Sequence, residues 1–116
     1  MKLKKALSLV LFAAGILFAQ EVDVIHISQA EALKSAKESP QPDYPPMARQ
    51  LRLQGDVRVQ AHISESGVVE EARPLTGNAV LAMAAASATR RWKFAPILTD
   101  GKPRKVITEL SFSFKL

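Results

Sequence analysis

His26, His62 and the adjacent pair Glu70-Glu71 carry most of the reactive chemistry in this chain of 116 residues. A metal site would need the two imidazoles to converge with a carboxylate, and nothing in their spacing brings them together. His62 sits in the alternating run "DVRVQAHIS", which turns it toward solvent. Glu70 and Glu71 are neighbours on an extended run, so they point to opposite faces and cannot share a proton as a general acid/base pair. The chain has no cysteine, which removes thiol chemistry and disulfides. "SGV" and "TGN" read as turns, and no glycine-rich phosphate loop is present. The chemistry points away from an enzyme, a cofactor, a metal or a small-molecule substrate.

The basic residues need a separate account. Arg49, Arg52, Arg58, Arg90 and Arg91 could form a nucleic-acid patch, but aromatics make up only 6% of the chain, too few for base stacking, and Trp92 is wanted in the core. Arg90, Arg91 and Lys93 stand at the C-terminal end of an alanine-rich segment, where the helix dipole favours cations. The net charge of +5 also includes the N-terminus. "MKLKK" followed by the uncharged stretch Ala6 to Ala19 has the basic region, short apolar region and small terminal residue of a secretory signal peptide. Fourteen uncharged residues fall short of the roughly 20 apolar ones that span a bilayer. Removing residues 1–19 takes the balance from 16 basic and 11 acidic residues to 13 and 11, a net charge of +2. Nucleic acid is therefore not the expected partner. The alternative is that the stretch stays as a short membrane anchor, the one route by which the chain would touch a membrane.

Without side-chain chemistry, the backbone becomes the candidate, so the elements matter. "RKVITELSFSFKL" alternates best: Val106, Thr108, Leu110, Phe112 and Phe114 share one face and Ile107, Glu109, Ser111, Ser113 and Lys115 the other. "DVRVQAHIS" alternates in the same way, with Val57, Val59, Ala61 and Ile63 inward. Glu65 to Gly67 form a turn, and the return strand Val68 to Leu75 is expected to end or bulge before Pro74. Thr76 to Trp92 is the clearest helix, capped by Asn78 or Thr76, with Leu81, Ala85, Ala88 and Trp92 on one stripe. Asp100-Gly101 is a hairpin turn. Near the N-terminus "EVDVIHI" reads as a short strand of ambiguous face. A capping box of Ser28 and Glu31 opens a helix over about Gln29 to Lys37. "SPQPDYPP" is an extended arm whose last prolines start a second short helix, with Met47 and Leu51 facing the sheet and Gly55 as its C-cap.

One domain follows: an α+β two-layer sandwich, a three-stranded antiparallel sheet with two helices on one face plus a short N-terminal helix. Its expected core is Val57, Val59, Ile63, Val69, Leu81, Ala85, Ala88, Trp92, Phe94, Leu110 and Phe112. The expected boundaries are 1–19 signal peptide or short anchor, 20–40 an N-terminal extension and 41–116 the domain. A last strand with a free edge can accept another strand by main-chain pairing; it can equally be covered or paired within the domain.

Tyr44-Pro45 with Ala48-Arg49, Gly55 with Val57, Gly67 with Val69, Leu81, Arg91-Trp92 with Phe94 and Pro96, and then the DG turn occur in order. Over Gln41 to Leu116 this resembles the TonB C-terminal domain family. The resemblance implies a domain in the periplasm of Gram-negative bacteria that takes part in TonB-dependent transport. It also implies a partner, the TonB box, an extended peptide of an outer-membrane transporter. The docking edge would be Val106, Ile107, Thr108, Glu109, Leu110, Ser111 and Phe112, and Gln41, Pro42 and Asp43 a second contact. Tyr44 and Arg49 would fix the arm, with Pro45, Gly55, Gly67, Trp92, Phe94 and Pro96 as structural motif. Full transducers of this family carry a spanning helix and a long Pro/Lys-rich spacer. Here Gln20 to Ser39 reaches at most ~70 Å. A stand-alone periplasmic binding domain is expected, with an inner-membrane-anchored short transducer or a homodimerising assembly subunit as the alternatives.

Overall fold

The computed structural model describes residues 24–116. The signal peptide expected at 1–19 lies outside the described residues. Along the chain the elements are β1 (Ile25–His26), α1 (Gln29–Leu33), β2 (Ala36–Glu38), α2 (Pro46–Gln50), β3 (Gly55–Ile63), β4 (Val69–Thr76), α3 (Ala79–Arg90), β5 (Lys93–Phe94), β6 (Leu98–Thr99), β7 (Lys102–Pro103) and β8 (Val106–Phe114).

The central pair is β3 with β8, antiparallel and in unbroken register from Gly55↔Phe114 to Ile63↔Val106. Both strands bury every second residue: Val57, Val59, Ala61 and Ile63 on one, Val106, Thr108, Leu110, Phe112 and Phe114 on the other. Alternation forces this, because a pleated strand sends successive side chains to opposite faces. β4 pairs with the far side of β3, and β1 adds in parallel to the far side of β8, giving the order β1-β8-β3-β4. The expected three strands are therefore joined by a fourth, only two residues long. β2 pairs with β5, and β6 with β7 around the Asp100-Gly101 turn.

α3 supplies the second layer. Asn78 accepts from the N–H groups of Val80 and Leu81, satisfying two donors of the first turn. Leu81, Ala82, Ala85, Ala86 and Ala88 are buried. The small alanine side chains let the helix lie close to the sheet, while Trp92, Phe94 and Phe112 fill the space past its end, the Trp92 ring centroid 5.9 Å from that of each phenylalanine. All eleven residues expected in the core are buried. Each large apolar side chain buried this way contributes about 1.5–3 kcal/mol.

Three local expectations are corrected, and a fourth, at β4, is met by a bulge. α1 ends at Leu33 rather than Lys37, because Ala36–Glu38 leaves to pair with Lys93–Phe94 and Ala95 donates to the Ser35 carbonyl. The bulge expected before Pro74 is present, as a register shift between Ile63↔Val69 and His62↔Glu71, but the strand does not end there and runs through Pro74 to Thr76. Among the described residues it is an edge strand, so the missing proline N–H faces no neighbour, and a second register shift falls just beyond, between Arg58↔Thr76 and Val59↔Pro74. Met47 and Leu51 do not face the sheet: they are 59% and 63% exposed, and Ala48 alone of α2 is buried. Five residues present too narrow a face to bury more. Finally, Gly55 does not cap α2. Arg52 takes the left-handed conformation at φ 53°, with Leu53 donating to the Ala48 carbonyl and Arg52 to that of Arg49, and Gly55 already belongs to β3.

Candidate functional site

The N–H and C=O of a strand residue point to one edge, and those of the next residue to the other. On β8 the outward set falls on the odd-numbered residues. Ile25 donates to the Lys105 carbonyl (3.4 Å), Ile27 to that of Ile107 (3.0 Å), and the Ser111 N–H donates to Gln29 Oε1 (3.1 Å). Period two then turns the backbone groups of Glu109 and Ser113 outward as well. Among the described residues no backbone partner from another strand reaches them.

Of the seven edge residues expected from sequence, Val106, Thr108, Leu110 and Phe112 turn their side chains into the core. Ile107, Glu109 and Ser111 turn theirs to the open face of the sheet. The docking surface is thus a row of main-chain groups flanked by a polar face. On that face Arg58 reaches Glu109 at 3.4 Å, His62 meets Gln60 at 2.9 Å, and the Ser113 hydroxyl donates to the Asp56 carboxylate. Thr108 Oγ1 is buried with no hydrogen-bond partner among the described residues. Beside the edge runs a groove of about 380 Å³, walled on one side by His26 to Gln29 and on the other by Ile107 to Glu109 and Ser111.

The arm is held at several points. Trp92 Nε1 donates to the Pro40 carbonyl at 2.9 Å. The Tyr44 hydroxyl donates to the Leu53 carbonyl, its ring meets Phe114 edge-on at 5.6 Å, and the Arg49 guanidinium lies 5.0 Å above it. Pro45 is the N-cap residue of α2. Gln41, Pro42 and Tyr44 line a second groove with Phe112 to Lys115, so the arm lies along the C-terminal half of β8; Asp43 is exposed and outside that lining. Gly67, at φ 92°, lets the β3–β4 turn approach Phe94, whose N–H donates to the Gly67 carbonyl. Pro96 is exposed in the loop after β5.

Sequence reasoning missed Ile25, Ile27 and Gln29 as contacts of β8. The alternation of "EVDVIHI" held the signal: Ile25 and Ile27 pack against the core, while Val24 and His26 face out. His26 and His62 do not converge, and among the described residues no group of three His, Cys, Asp or Glu is placed to hold a metal. No helix among the described residues is long and apolar enough to cross a membrane.

Together, the two layers and the outward strand edge define a small α+β domain built around a mixed sheet. Its fold is that of the solution NMR structure of the Pseudomonas aeruginosa TonB CTD, with a TM-score of 0.59 at 24% identity, covering 70% of this chain and 84% of that one. A sequence model described as the C-terminal of the Gram-negative bacterial TonB protein matches residues 40–116, and the chain belongs to that family. Comparison with curated proteins returns no match. Domains of this family are periplasmic, interact with outer-membrane transporters and serve transport rather than catalysis.

Proposed function

We propose that this chain is a periplasmic docking domain of TonB-dependent transport that captures the TonB box of an outer-membrane transporter by strand addition along β8. The supporting observation is the outward row of main-chain groups on β8, which already pairs with one added parallel strand. Main-chain pairing supplies affinity, and the alternating side chains of the incoming strand supply specificity. The arm Gln41 to Asp43, of which Gln41 and Pro42 line the groove beside Phe112 to Lys115, is the second contact in this reading. In this reading residues 1–19 are a signal peptide, residues 20–40 an extension and residues 41–116 the docking domain. Titration of a TonB-box peptide, followed by amide chemical shifts, is expected to perturb Val106 to Phe112; an unchanged set of shifts there defeats the proposal.

A second reading retains the uncharged stretch Ala6 to Ala19 as a short anchor, which would make the chain a compact transducer at the inner membrane. Mass spectrometry of the mature protein separates the two. An N-terminus at Gln20 removes the transducer reading.

A further inference from the structure

The N-terminal segment Val24 to Gln29 occupies the strand edge on which the proposed function depends. Its register with β8 is Ile25↔Val106 and His26↔Ile107, parallel. Continued residue by residue, that ladder would place the carbonyl of residue 29 against the N–H of Ser111. The backbone has already turned into α1 by then, capped by Ser28. Yet Ser111 donates to Gln29 all the same, to its side-chain oxygen at 3.1 Å. The Gln29 amide stands where the next strand carbonyl would be. Ile25 and Ile27 lie half-buried against the core and His26 faces solvent, the side-chain pattern of a strand that belongs to the sheet.

We infer that Val24 to Gln29 is a pseudo-ligand held in cis, displaced when a partner strand docks. It also describes the partner: an extended segment running parallel to β8, with β-branched apolar residues two positions apart and a polar residue between them. This inference rests on the reading of β8 as a docking edge, though not on which protein supplies the strand. A two-residue strand at a sheet edge belongs to the least stable part of a fold, so release of the segment does not require the domain to unfold. The apparent affinity for a partner is the intrinsic affinity reduced by the fraction of molecules whose edge is open.

The test compares the full chain with its Ile25→Pro/Ile27→Pro variant. The substitutions remove the N–H groups that reach Lys105 and Ile107. The probe is a blocked synthetic peptide with the sequence of residues 21–28, titrated alongside a TonB-box peptide and followed by amide shifts. The variant is expected to bind the residue 21–28 peptide at least about 5-fold more tightly, as the loss of two backbone hydrogen bonds from the competing segment implies. The shifts should centre on Ile107 and Glu109, whose N–H groups this register sets against the carbonyls of Ile25 and Ile27. Equal affinity in the two proteins, with the Ile25 and Ile27 segment visibly released in the variant, overturns the inference and leaves docking intact. Absence of binding by both peptides to the released variant defeats the docking reading and this inference with it. Tight binding of the residue 21–28 peptide alone supports the guarded edge and removes the transporter as partner. Gln29→Ala, which deletes only the acceptor for Ser111, repeats the comparison at about 3-fold amplitude if the double variant loses its folded spectrum. Unchanged affinity in Gln29→Ala then counts against the inference.

Discussion

Replacing Gly67 by alanine tests how tightly the β3–β4 turn is locked to the rest of the domain. A methyl group at this position would stand 1.9 Å from the Phe94 carbonyl oxygen and 2.7 Å from its carbon. No side chain survives such an approach, so the turn or β5 must retreat by about 1 Å or more to restore ordinary contact. That movement breaks the hydrogen bond from Phe94 N–H to the Gly67 carbonyl, 2.9 Å long, and the bridge between Val68 and Lys93. It also draws the buried Phe94 ring away from Trp92. A non-glycine residue held at φ 92° costs about 1–2 kcal/mol. Loss of a buried hydrogen bond adds about 1–3 kcal/mol. The expected loss of about 2–5 kcal/mol is a large share of the roughly 5–15 kcal/mol typical of a domain.

Gly101→Ala is the matched control: it too has positive φ, 77°, but nothing lies within 4 Å of an added methyl. It should show the backbone strain alone, about 1–2 kcal/mol. Urea unfolding followed by the fluorescence of Trp92, the single tryptophan, reads both variants. A melting curve should place Gly67→Ala lower by about 8–40 °C, at about 4–8 °C per kcal/mol for a domain of this size. If the two variants agree within about 0.5 kcal/mol, below the cost of one lost hydrogen bond, the collision with Phe94 does not determine the role of Gly67.

Trp92→Phe keeps a ring in the core but removes the donor to Pro40, so stability should fall by about 1–3 kcal/mol, with amide exchange accelerating at Gln41 and Asp43 more than in α3. Asn78→Ala removes the acceptor for two N–H groups of the first turn of α3 and should cost about 1 kcal/mol, measured by urea unfolding, without shifting the amides of β8.

The faces of the two long strands were legible in the sequence. Val57 to Ile63 and Val106 to Phe114 alternate over several residues, and a strand has only two faces, so the buried set follows from spacing alone. Six alanines and the Asn78 cap declare α3 in the same local way, and Asp100-Gly101 its hairpin. The family signature read from Tyr44 to the DG turn agrees with the matched sequence model.

Tertiary structure decided what covers each face and edge. Met47 and Leu51 have the spacing of a buried stripe, yet α2 is too short to bring them to the sheet. Pro74 reads as a strand breaker, but among the described residues β4 has no neighbour beyond it that needs the missing N–H. The pairing of Ile25 with Val106 joins segments far apart in the chain, and the alternation of "EVDVIHI" marks the inward face of its segment but not the strand that it meets. Spacing along a chain fixes which residues share a side. It carries no term for which distant segment arrives to pair with that side, and the β8 edge depends on that pairing.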